Sequence, residues 1–184
     1  MAYAVCMSKR LFLLCPLMML LAGCKADHAT HRAESIDSAA TPTPAVTSTL
    51  PARDTGKWTA DSSTAMGVTG NVSVAPQALT LAGHAYSLTN IHPLDATATD
   101  ALAQPGMMNH ARPIHLARID VPATAPMLNS NTLCGRDAVR WVAIGADGTG
   151  ALNLAFFSSA AAPTITKPWL DNTHDLCGTY AYSR

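Results

Sequence analysis

Large apolar side chains recur at every second position over much of the chain after Trp58, which is the spacing of half-buried β-strands. In residues 66–74, the apolar side chains occupy even positions and the polar side chains occupy odd positions. Turn-forming residues at 75–77 and 83–84 separate this segment from two shorter alternating runs. The pattern therefore predicts a meander of three short strands.

The second half of the chain contains the strongest hairpin signal. Residues 138–144 are apolar on nearly both faces, as expected of a central strand, and a glycine-rich turn at 145–150 leads into a second apolar run at 151–157. Further strands are predicted over residues 112–121 and 176–182.

Two connections lack a clear period. Residues 90–109 are predicted to form an irregular loop, either alone or with one short helical turn near 96–103, and residues 158–176 form a second long loop. About seven short strands without long helices predict an all-β domain, a small antiparallel barrel or sandwich. The pattern does not decide between barrel and sandwich.

The composition changes at the start of this domain. Residues 25–56 are rich in Ala, Thr, Ser and Pro and contain no aromatic residue, so they bury too little apolar surface to offset the entropy of ordering. Residues 24–56 are therefore predicted to be a disordered tether, and residues 57–184 the folded domain.

Residues 1–23 have the features of an export signal. Lys9 and Arg10 precede an apolar run at 11–22 that is too short to cross a bilayer as a helix. Met7 lies just before the basic pair and is an alternative start to Met1.

The apolar run ends in Leu21-Ala22-Gly23-Cys24, which resembles the lipobox of bacterial lipoproteins. The resemblance implies cleavage after Gly23 and lipid attachment to Cys24. Lys25 follows, where lipoproteins kept at the inner membrane usually carry Asp, so the expected location is the outer membrane, facing the periplasm. An ordinary secretory signal with a chance cysteine is the alternative.

After removal of the signal, 161 residues remain, a length that suits one domain. They carry 10 basic and 12 acidic side chains, a net charge of about −2. No basic patch or run of like charge is present, so nucleic acid is not an expected partner.

Cys134 and Cys177 are the two cysteines left when the signal and the lipidated residue are set aside. In an oxidising compartment they predict one disulfide. A zinc site or a redox motif is a poor alternative, because neither cysteine belongs to a CxxC or CxxH spacing.

The common catalytic motifs are missing, including G-x-S-x-G, H-E-x-x-H and a phosphate-binding glycine loop. His92, His110 and His115 lie near several aspartates in sequence, but no ligand spacing supports a metal site. His174 and Asp175 are adjacent, so on an extended chain they point to opposite faces. No enzyme activity, metal or cofactor is therefore expected.

The phrases GNVSVAPQALTLAGHAYSL, VRWVAI, LNLAFFS and LCGTYAY are similar to small uncharacterised envelope lipoproteins of Gram-negative bacteria. They also resemble the immunity lipoproteins that protect such cells against the cell-wall-degrading toxins of antibacterial secretion systems. This resemblance implies a membrane-anchored binding protein with a protein partner in the periplasm, one that inhibits a cell-wall hydrolase. The alternatives are a structural or assembly lipoprotein docking onto an outer-membrane or secretion complex, and a barrel that binds a small ligand or metal.

An inhibitor of this kind would place a loop in the cleft of the hydrolase. The long loops at 90–112 and 158–176 are the expected contact segments. The contact residues predicted within them are Asp95, His110, Arg112 and Trp169, because aromatic and arginine side chains often anchor protein interfaces.

Overall fold

The computed structural model describes residues 49–108, 111 and 113–184. The signal segment, Cys24 and most of the predicted tether lie outside the described residues, as do His110 and Arg112. The described strands are β1 (Gly56–Ala60), β2 (Val72–Ala75), β3 (Ala78–Leu81), β4 (His84–Ser87), β5 (Thr89–Pro93), β6 (His115–Val121), β7 (Val139–Ala146), β8 (Ala151–Phe157) and β9 (Leu176–Ser183). The described helices are α1 (Ser63–Val68), α2 (Ala96–Leu102) and α3 (Lys167–Asn172). None of these helices has the length and apolar character needed to cross a membrane.

All nine strands form one antiparallel sheet in the order β4-β3-β2-β1-β9-β8-β7-β6-β5, and the sheet is not closed. Its two edge strands, β4 and β5, are separated in sequence only by Leu88. Because one residue spans less than about 4 Å, the edges meet at this corner and the sheet curls back on itself. The expected barrel or sandwich of about seven strands is thus corrected to a single open sheet of nine.

The larger apolar core, here called the inner core, lies on the concave face of the curled sheet. It takes side chains from β1–β3 and from β6–β9, among them Trp58, Leu79, Phe156 and Tyr182. Phe156 and Tyr180 meet edge to face with ring centroids 5.3 Å apart. Residues that are distant in sequence thus share one core, as the curled sheet requires.

A second core lies on the opposite, outer face of β6, β7 and β8. Leu102, Met108, Ile114, Trp141 and Phe157 are buried there. The helices α2 and α3 flank this core and contact each other. The central strand predicted at 138–144 is confirmed, and its apolar character on both faces is explained because each face of β7 meets a core.

The first predicted strand is wrong over its first half, because residues 63–68 form α1. Ser62 caps this helix by accepting a hydrogen bond from the Ala65 amide, and Ala65 is the buried residue of the helix. Gly70, with φ of +62°, then reverses the chain into β2. Met66, expected to face the core, is 56% exposed.

The predicted connections contain more regular structure than their sequences indicate. The short helix near 96–103 is confirmed as α2, but the same loop also contains β5. The loop at 158–176 contains α3, which Thr166 caps by accepting from the Trp169 amide. Strand β1 was not predicted.

The folded part also begins earlier than the composition indicates. Leu50 is 4% exposed and Asp54 is fully buried, although both lie in the segment assigned to the tether. The Leu50 amide donates to the Pro76 carbonyl, so this segment packs against the turn between β2 and β3.

The predicted disulfide is confirmed. Cys134 and Cys177 are bonded, with their Cα atoms 4.7 Å apart. The bond fastens the loop before β7 to the start of β9, and the chain that it closes contains β7, β8 and α3.

Candidate functional site

A cleft of about 470 Å³ lies on the outer face of β8 and β9. The turn between β1 and α1 forms one wall, and the loop after α2 forms the other. Along β8, Leu152, Leu154 and Phe156 belong to the inner core, so the alternation of the strand turns Asn153 to the outer face. Opposite Asn153 on β9 stands Ala181, whose small side chain leaves the cleft open.

Asn153 is the unusual residue of this cleft, because its side chain is polar and only 3% of the residue is exposed. A carboxamide offers two N–H donors and one carbonyl acceptor. Within the described part of the chain, no group hydrogen bonds with this carboxamide. Asn153 is one of the residues that line the cleft.

The wall beside Asn153 is held in place by hydrogen bonds. The backbone amides of Asp61 and Ser62 both donate to the Ala181 carbonyl, at 3.0 and 3.1 Å. The Ser62 hydroxyl in turn accepts from the Ala181 amide at 3.2 Å and caps α1. The turn before α1 is therefore fixed to β9, and the shape of the cleft is set by the fold.

The rim of the cleft carries oxygen-bearing side chains. Thr64 and Asp61 are exposed on one side, and Thr179 is half-buried on β9. Asp61 is the one charged side chain among the described residues that line the cleft. Met107 contributes an apolar surface from the opposite wall.

The residues predicted as partner contacts lie elsewhere. Asp95 is exposed and caps α2, with its carboxylate accepting from the Ala98 amide at 2.8 Å. Trp169 is half-buried on α3, with its ring centroid 5.9 Å from that of Phe157. Neither lines the cleft. His110 and Arg112 are outside the described residues, so their contact role stays a prediction.

A charged cluster occupies another part of the outer face. Asp120 accepts from Arg140 at 2.7 Å and from Arg118 at 3.3 Å. These hydrogen bonds, that from Arg140 above all, lower the pKa of the Asp120 carboxyl. The Arg118 guanidinium also lies 5.5 Å from the ring centroid of Trp141. Both arginines thus pair with Asp120, and Arg118 also lies over Trp141, as in a network of surface side chains.

A buried contact between Asp54 and His115 was not predicted from the sequence. The Asp54 Oδ2 lies 3.3 Å from the His115 Nδ1, and the other carboxylate oxygen accepts from the Ala146 amide at 3.1 Å. Ile144 pairs with His115, the first residue of β6, so Ala146 lies beyond the end of β6. The Asp54 carboxylate accepts from the Ala146 amide at a position that β6 does not reach. This is a structural role.

No three His, Cys, Asp or Glu side chains come together in a metal-binding arrangement anywhere in residues 49–108, 111 and 113–184. Comparisons of the chain with protein-family models, with curated proteins and with solved structures found no match. The cleft and the sequence therefore carry the functional argument.

Proposed function

We propose that this protein is a membrane-anchored binding protein of the cell envelope, and that the cleft above Asn153 is its binding site. The lipobox-like segment ending at Cys24 and the polar stretch after it favour export and anchoring. The observation that carries the binding site is Asn153, a buried carboxamide without a partner among the described residues.

Asn153 is 3% exposed and lines the cleft, so a ligand there lies within reach of its carboxamide. A ligand that hydrogen bonds with Asn153 would supply a partner that the described residues do not. The wall fixed by Ser62 and Ala181 needs little ordering when a ligand binds, and such preorganisation favours affinity.

The geometry favours a ligand entering this domain over a loop of this domain entering a partner. The segments expected to insert into a hydrolase contain α2 and α3, and both helices pack on the second core. Leu102 is fully buried and Trp169 lies against Phe157, so insertion would require detaching them. Inhibition of a hydrolase by one of these loops, and docking onto an envelope assembly, both stay predictions.

The proposal is tested by photo-crosslinking in intact cells of the native host. A benzoylphenylalanine replaces Thr64 at the rim of the cleft in the full-length protein, and Thr97, exposed on α2 outside the cleft, is the matched control position. We expect an adduct from position 64, either a discrete band with a protein or a product that sediments with the cell wall, no such adduct from position 97, and loss of the adduct when Asn153→Leu is added. Absence of an adduct at position 64, or the same adducts at both positions, would refute the cleft as the binding site.

A further inference from the structure

We propose that the ligand of the cleft is an N-acetylated glycan, the sugar polymer of the bacterial cell wall. This inference rests on the proposed function, because it names the ligand of the same site. It begins with Asn153, whose carboxamide is the hydrogen-bonding complement of an acetamido group. The Asn153 N–H donates to the acetamido carbonyl, and the acetamido N–H donates to the Asn153 carbonyl.

The surroundings of Asn153 fit the rest of an acetamido sugar. Ala151 and Ala181 flank Asn153 on the outer face, and Met107 adds a further apolar contact. These side chains provide a surface for the acetamido methyl group and for the C–H face of a sugar ring. The cleft volume of about 470 Å³ lies within the range of about 300–1,000 Å³ typical of small-ligand sites.

The rim fits the hydroxyl groups of a glycan. The Thr64 and Thr179 hydroxyls make no hydrogen bond within the described residues, so both are free to pair with sugar hydroxyls. An ionised Asp61 carboxylate only accepts hydrogen bonds, which suits the hydroxyl donors of a sugar. A hydroxyl-rich ligand is therefore favoured.

A peptide group also contains an amide, but the rest of the cleft suits a protein segment less well. Protein interfaces are enriched in aromatic residues, methionine and arginine. Of these anchors, the described lining offers Met107 and two tyrosines, and the rings of Tyr180 and Tyr182 belong to the inner core. The cleft thus lacks an exposed aromatic or arginine anchor among its described residues.

With lipid on Cys24 and a wall glycan in the cleft, the protein would connect the outer membrane to the cell wall. Such a role belongs to the structural class of envelope lipoproteins.

The test uses the full-length lipidated protein in detergent and two neutral β-1,4-linked tetrasaccharides. One is the tetramer of N-acetylglucosamine, and the other is cellotetraose, which has the same backbone without acetamido groups. Binding is measured by calorimetric titration and by co-sedimentation with purified cell-wall sacculi. Asn153→Leu removes the carboxamide, Thr64→Val removes an exposed rim hydroxyl, and Thr97→Val is the matched control.

We expect the N-acetylated tetramer to bind at least tenfold more tightly than cellotetraose, and Asn153→Leu to weaken its binding about tenfold to a hundredfold. Thr64→Val should weaken binding severalfold and Thr97→Val should leave it unchanged. Equal binding of the two tetrasaccharides overturns the glycan inference. So does a failure to detect binding of the tetrasaccharides and of the sacculi. If a protein adduct still forms at position 64 in cells, the proposed binding function survives that failure.

Discussion

The buried Asp54 carboxylate gives a prediction whose size follows from its geometry. One Asp54 oxygen accepts from the Ala146 amide at 3.1 Å and lies 3.6 Å from the Arg53 Nε, and the other lies 3.3 Å from His115 Nδ1. Asp54 is fully buried, so no solvent replaces these contacts when the carboxylate is removed. Because Asp54→Ala leaves the Ala146 amide without its acceptor, we expect it to lower the unfolding free energy by about 1–3 kcal/mol.

Asp54→Asn separates the two contributions. The asparagine carbonyl can still accept from the Ala146 amide, whereas the charge facing His115 is gone. Because an unpaired buried amide costs about 1–3 kcal/mol, Asp54→Asn should be more stable than Asp54→Ala by about that amount. Asp120→Ala is the matched control, since that carboxylate is 64% exposed and pairs with surface arginines. Its cost should stay within about 1 kcal/mol.

The assay is equilibrium urea unfolding of the oxidised full-length protein at pH 7, with the midpoint and slope fitted for each variant. Equal stability of the Ala and Asn variants of Asp54 would refute this prediction, since the Ala146 hydrogen bond would then contribute nothing. A cost of Asp54→Ala no larger than that of Asp120→Ala would also refute it, because the buried carboxylate would then behave as a surface group.

Three further predictions concern stability. Cys134→Ala with Cys177→Ala opens a loop whose ends are 43 residues apart, so chain entropy predicts a loss of about 4 kcal/mol; a urea midpoint equal to that of the oxidised protein would contradict this. Burial raises the pKa of the Tyr182 phenol above its ordinary value of 10.0, so the unfolded chain ionises first. The stability contributed by the neutral phenol is full below pH 10 and falls as the pH rises above it. Unfolding at pH 9–12 should show that decline, and Tyr182→Phe should make it shallower. The Arg184 guanidinium lies 4.1 Å from the ring centroid of Trp58 and donates to two backbone carbonyls. Arg184→Ala should therefore lower the unfolding free energy by about 1–2 kcal/mol. An unchanged melting temperature would contradict a stabilising role of these contacts.

Sequence analysis predicted the parts of the fold that a local pattern controls. The hairpin of β7 and β8 follows from two apolar runs around a glycine-rich turn, and its bounds agree with the prediction to within two residues. The disulfide was predicted from the number of cysteines and the expected oxidising compartment, and the structure contains it. The hairpin signal lies within one short segment, and two remaining cysteines allow one pairing. Neither prediction therefore requires knowledge of contacts between distant segments.

The parts that were missed depend on distant contacts. Residues 66–68 alternate as a strand does, yet they lie in a helix because Ser62 caps it and is bound to Ala181, more than 100 residues away in sequence. The tether boundary was missed for a similar reason. Asp54 is buried by its contacts with β6 and β7, and composition alone cannot show those contacts.

The candidate site was likewise hard to predict, because its lining comes from four separate segments of the chain. A cleft formed by residues from 61–64, 106–107, 151–153 and 179–182 exists only once the sheet has formed. The predicted contacts Asp95 and Trp169 were chosen by residue type and loop position, and the structure uses them to cap and pack helices. One local signal did exist, since Asn153 is the single polar residue of the run ALNLAFF.

Substitution of Asn153 should affect ligand binding and stability differently. Two residues further along the same face of β8 stands Ala155, which is buried against the second core, so an apolar residue at 153 would suit the fold. The polar residue at 153 instead departs from the apolar pattern of the strand, and such departures are expected at binding sites. Asn153→Leu should therefore leave the unfolding free energy unchanged or raise it by about 1 kcal/mol, while it abolishes the adduct at position 64. If the variant is instead destabilised by several kcal/mol, Asn153 supports the fold, and the cleft loses the observation on which its role depends.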